Sequence, residues 1–91
     1  MTPQEWTMQL EIEGFSDIRT VFIRPTDTPP EPCTHDQETV HVIMKGTLTI
    51  TDADGVATTH KQGDRIDFPA GTTHVAQTGS EGVKMIVGVR E

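Results

Sequence analysis

Tyrosine is absent from this chain, and aromatic side chains of any kind are scarce: one Trp and three Phe in 91 residues. Any core must therefore be built mainly from Val, Ile, Leu and Met. Cysteine is nearly missing as well. The single Cys33 excludes an intrachain disulfide, which fits a reducing cytoplasm. Basic residues are few. Seven Lys and Arg stand against fourteen Asp and Glu, a net charge of −7. That balance disfavours nucleic acid and anionic membrane as partners, since both require a basic surface. No apolar run is long enough to span a bilayer. The first residues carry Glu5, Glu11, Glu13 and Asp17 where a secretory leader would be apolar and basic. The expectation is a soluble cytoplasmic protein with one domain over residues 1–91. So short a chain buries a modest share of its surface, so a closed barrel or a dimer would help its stability.

What is present reads mostly as β-structure. Trp6, Met8, Leu10 and Ile12 alternate with Thr7, Gln9, Glu11 and Glu13, and this period of two predicts a first strand with one buried face. Gly14 and Ser16-Asp17 mark a turn, and Ile18 to Ile23 predicts a second strand. Pro25, Pro29, Pro30 and Pro32 make an extended loop, because proline cannot donate to a sheet ladder. Short strands follow over Cys33–His35, Glu38–Lys45, Thr47–Thr51, Val56–Lys61, Arg65–Phe68, Thr73–Gln77 and Val83–Val89. Turns at Asp52-Ala53-Asp54-Gly55, Gln62-Gly63-Asp64 and Pro69-Ala70-Gly71 separate several of them. Eight or nine short strands at close spacing predict an all-β barrel or double-sheet jelly roll, with no helix.

The chemistry-bearing residues are a few histidines and one thiol. Cys33 and His35 are two apart and share a face of their strand. His74 opens a later strand, after Gly63, Pro69 and Gly71. His41 lies two residues beyond Thr39, and His60 precedes a turn. There is no Gly-x-Ser-x-Gly elbow, no phosphate-binding glycine loop and no Cys-x-x-Cys pair. Arg65 and Asp67 alternate with Ile66 and Phe68, which predicts a surface ion pair.

The run from Gly63 through Pro69 and Gly71 to His74 closely resembles the second motif of the cupin superfamily. The first cupin motif is present in degenerate form. Counting back from Gly46, its glutamate position falls on Thr39, its second histidine on His35 and its first histidine on Cys33. The resemblance covers about Pro29 to the C-terminus. It implies a cupin-type β-barrel, also called a double-stranded β-helix, holding one divalent metal through three histidines and a glutamate. His35 and His74 carry over directly, and two imidazoles alone hold a metal weakly. Two registers could supply the third ligand. If Thr39 faces the pocket, His41 shares that face and completes a set of His35, His41 and His74. If Glu38 faces inward, then Val40 and Val42 do too, Glu38 becomes the ligand and His41 is wet. Cys33, Glu38 and Thr39 are thus alternative ligands or pocket residues, and His60 is expected to be solvated.

Imidazoles with a carboxylate suit iron, manganese, nickel or zinc. The resemblance implies a metal-binding protein acting on a small polar molecule by dioxygenase, isomerase or lyase type chemistry. The alternatives are a non-catalytic barrel that binds or senses a small ligand, and a structural homodimer with a vestigial pocket. A homodimer is expected from the apolar face of Trp6, Met8, Leu10 and Ile12, and the proline-rich loop from Pro25 to Pro32 is expected to rim the pocket.

Overall fold

The computed structural model describes residues 2–25 and 32–90. Most of the Pro25 to Pro32 loop, and with it the expectation that the loop rims the pocket, lies outside the described residues. The chain is largely strand, with one helix at its start: α1 (Pro3–Ile12), β1 (Ser16–Ile23), β2 (Cys33–Thr34), β3 (Glu38–Thr51), β4 (Ala57–His60), β5 (Arg65–Phe68) and β6 (Thr73–Arg90).

The helix corrects the expected first strand. Thr2 caps it: its hydroxyl accepts from the Glu5 backbone N–H at 3.1 Å, while the Glu5 carboxylate accepts from the Thr2 N–H at 3.0 Å. Pro3 occupies the first turn, where its missing N–H costs nothing. The C-terminus closes with a Schellman motif. Phe15 N–H donates to the Leu10 carbonyl and Gly14 N–H to the Glu11 carbonyl, with Gly14 at φ +94°. On a helix Trp6 and Leu10 share one face, whereas Met8 and Ile12 point away and are exposed. The alternation that predicted a strand therefore splits into an inward pair and an outward pair.

Two strands expected as pairs of short segments are continuous. β3 runs through Gly46 and β6 runs through Gly82, and they pair antiparallel along most of their length with shifts at 43/45 and 46/48. The first half of β3 lies between β6 and β5, and its second half lies between β6 and β4. The pair thus exchanges its outer neighbour from β5 to β4 along its length. Gly46 has φ +86°, and a Cβ there would stand 2.1 Å from the Gly82 carbonyl oxygen. Only glycine permits that approach.

The strands bury both of their faces. Ile43, Leu48, Ile50, Ile66, Phe68, Val83 and Met85 fill the barrel interior, with Val21, Ala76 and Val87 against them. Val40, Val42 and Ile86 point to the other side, where Leu10 and Phe15 cover them together with Trp6, Ile18 and Met44. Ion pairs fence this outer core. Arg65 grips the Glu13 carboxylate through two 2.7 Å hydrogen bonds and reaches Asp67 at 3.1 Å. Arg90 bonds both Glu38 oxygens, donates to the Glu13 carbonyl at 2.6 Å and lies 4.4 Å above the Phe15 ring. The Arg65–Asp67 pair expected from alternation is present.

Candidate functional site

The barrel's orientation resolves the open register. Because α1 covers Val40 and Val42 from outside, Thr39, His41 and Ile43 face the interior. Thr39 is 5% exposed and His41 9%, and both line a cavity of about 680 Å³ that His35 also lines. Glu38 lies on the outer face with its carboxylate on Arg90. The inward-Glu38 register is therefore not the one this fold adopts.

His35 reaches the cavity from the chain entering β3. Its backbone is clasped by the turn of the second motif: Gly71 N–H donates to the His35 carbonyl at 2.7 Å, and His35 N–H donates to the Thr72 carbonyl at 3.4 Å. The same turn delivers His74, whose residue pairs in register with Cys33 while Thr34 pairs with Thr73. The Thr34 and Thr73 hydroxyls share a 2.8 Å hydrogen bond. The glycine and proline of that motif thus hold two histidines at a fixed separation, although they are far apart in sequence.

The rings gather around Phe68. His74 stacks on it at 4.2 Å between centroids, His41 meets it edge-on at 5.0 Å, and His35 lies 5.8 Å away. His35 stands 4.9 Å from His74 and 6.2 Å from His41. No role at the site was expected of Phe68. Its place in the second motif, just before Pro69, is the signal that associates it with His74.

His35 Nε2, His41 Nδ1 and His74 Nδ1 are buried with no hydrogen-bond partner among the described residues. Burial lowers the pKa of His41 to about 4, with His35 and His74 adding repulsion against a charged ring. Burial, then His35, also lowers His74. Both rings are therefore neutral at pH 7, the state in which imidazole offers a lone pair. Among the described residues, no three or more His, Cys, Asp or Glu side chains stand close enough together to hold a metal ion.

The remaining residues fall elsewhere. Cys33 is exposed at the end of β2. His60 is half-buried rather than solvated, with Nδ1 3.9 Å from an Asp64 carboxylate oxygen, and lies on β4 away from the cavity. A second hollow of about 640 Å³ is bounded by Asp36, Glu38, Asp67 and Arg90 and contains no histidine. No described helix is long and apolar enough to cross a membrane.

No family model matches the sequence, and no curated protein is significantly similar to it. Solved structures do match. A cupin-2 domain protein from Shewanella frigidimarina is 26% identical, with a TM-score of 0.66 over 80% of this chain and 69% of that one. A DUF861 family protein from Thermotoga maritima is 20% identical, with a TM-score of 0.65 over 98% and 92% of the two chains. The DMSP lyase DddQ from Ruegeria pomeroyi is 19% identical, with a TM-score of 0.69 over 81% of this chain and 37% of that one. With these neighbours, the continuous β3–β6 pair and the Gly63–His74 motif, the fold of this chain is that of the cupins.

Proposed function

We propose that the barrel binds a small polar molecule in the histidine-lined cavity, and that His35, His41 and His74 recruit a divalent metal into the same site. The observation that carries this reading is the set of three buried imidazole nitrogens with no partner among the described residues. Leaving a buried polar atom unpaired costs about 1–3 kcal/mol, and a fold retains such atoms where something else satisfies them. The donor set fits a metal: three imidazoles, two of them held neutral by burial, suit iron, zinc or nickel. A bound ion would supply a Lewis acid with open positions for the ligand. The rings do not stand at coordinating separations as they are, so binding has to draw them together. That same fact favours a second reading, in which the ligand bonds the imidazoles directly and no metal takes part. Oxygenation, isomerisation and elimination remain the activities to assay, since the fold alone does not select among them.

Elemental analysis of protein purified without an affinity tag separates the two readings. The metal reading expects one divalent ion per chain, lost on alanine substitution at His35, His41 or His74 and kept in His60→Ala. A metal-free protein that takes up no added zinc, nickel, manganese or iron(II) overturns it and leaves the direct-ligand reading.

The proposal extends to a homodimer, on new ground. The helix removes the apolar strand face that first suggested one. Among the described residues, however, strand β1 pairs only with β6 and leaves Phe22 58% and Ile23 40% exposed, an edge that a second copy would cover. Light scattering at micromolar concentration should give twice the 10.0 kDa chain mass, and a monomer would refute it.

A further inference from the structure

Strand β1 carries an irregularity that changes which of its side chains face the cavity. Ser16 pairs with Val89, but Arg19 rather than Ile18 pairs with Val87, so one extra residue is inserted between them. Asp17 sits inside this bulge at φ +50°, the only described non-glycine residue in the left-handed region. In an uninterrupted ladder Ile18 would oppose Val87 and Arg19 would point outward. With the bulge, Ile18 turns to the outer core beneath the helix. Arg19 takes the inward position, in a row that runs Arg19, Val87, His41 and Ile66 across four strands. Residues directly opposite in a ladder share a face, and Val87 packs against the barrel interior. Arg19 accordingly lines the same cavity as His35, Thr39 and His41.

Its electrostatic situation is unlike that of the neighbouring guanidinium groups. Arg65 and Arg90 are each tied to carboxylates. No hydrogen bond or ion pair engages Arg19 among the described residues. Bulges of this kind re-aim side chains beside binding sites, and a left-handed Asp is a cost the fold bears to keep one. Arg19 is exposed at the cavity mouth, and a guanidinium there that no described residue engages offers a fork of donors that matches a carboxylate. Asp17 lines the same mouth and would repel a dianion such as phosphate more than a monoanion.

Resting on the cavity reading above, we propose that the ligand of this barrel is a small carboxylic acid. Its carboxylate is held by Arg19 at the mouth, and the rest of the molecule lies toward His35 and His41.

The test is an NMR titration of the protein as purified, followed at the backbone amides of Arg19, His41 and Val87. The probes are acetate, lactate, succinate and benzoate, the matching amides acetamide, lactamide, succinamide and benzamide, and inorganic phosphate. At least one acid should shift these amides saturably and bind at least about tenfold more tightly than its amide, as expected for a charge-assisted bidentate contact. Arg19→Gln should remove that preference while the amide still binds. Equal binding of acids and amides overturns the carboxylate proposal but leaves the cavity reading intact. So does acid preference that survives Arg19→Gln, which would mark capture by another group, or tighter binding of phosphate than of every acid. If no probe shifts the cavity amides, both this proposal and the small-ligand reading beneath it fail.

Discussion

The two faces of strand β3 differ by one residue in sequence and by purpose in structure. On the outward face, Val40 and Val42 are sealed under Leu10 and Phe15, and the surrounding charges are answered: Glu13 by Arg65, Glu38 by Arg90. On the inward face at the barrel mouth, His41 is buried beside His35 and His74 with nitrogens that nothing in the described chain satisfies. One face is finished by the protein itself. The other, on the function proposed above, is completed by a bound ligand. On that proposal, stability and function lie on opposite sides of the same backbone, an arrangement expected where a site departs from the rules that the rest of the fold obeys.

Substitutions on the two faces should therefore act with opposite signs. The largest effect belongs to Leu10→Ala, which empties a fully buried position beneath the helix. It should cost about 3 kcal/mol in denaturant unfolding and leave metal or ligand uptake by the cavity unchanged. A loss of uptake equal to that in His41→Ala would show that the faces are not separable. Next in size is His41→Leu. Replacing an unpartnered buried ring nitrogen by an apolar side chain should raise stability by about 1 kcal/mol while abolishing metal uptake. A destabilised variant would mean that the ring is already satisfied in the free protein.

The smallest effect tests the outer fence through pH. Hydrogen bonds from Arg65 lower Glu13 from its usual 4.5 to about 2, with Gln9 adding to the shift. A depressed carboxylate contributes stability above its unfolded pKa and loses it as pH falls through the folded one. The stability difference between the parent and Glu13→Gln should thus be constant above pH 4.5 and vanish by about 2. Thermal melts across that window provide the check, and a difference that persists below it would assign the effect to packing instead.

Much of the site was legible because its spacing is stiff. Gly63, Pro69 and Gly71 specify a turn whose geometry is local, and that turn brings His74 to its place and clasps His35. The helix was missed because Trp6, Met8, Leu10 and Ile12 satisfy a period of two. The cap signals were nevertheless present: Thr2-Pro3 with Glu5 at one end and Gly14-Phe15 at the other. Capping hydrogen bonds and the burial of Trp6 with Leu10 outweighed the alternation. Arg19 drew no notice, since a bulge of one residue has no signature in β-rich sequence beyond an Asp that tolerates positive φ.

The sequence by itself determined the strand-rich character of the chain, most of its turns and the motif that carries His74. Each of these follows from short-range rules of backbone angle and side-chain alternation. Which face of β3 looks into the barrel was a different kind of question. Both stripes of that strand are buried, so alternation cannot rank them, and only the helix docking on Val40 and Val42 turned His41 inward and Glu38 out. The register position of Arg19 was decided the same way, by pairing with a strand about seventy residues later in the chain. Register is a contact between distant segments, and no local preference contains it.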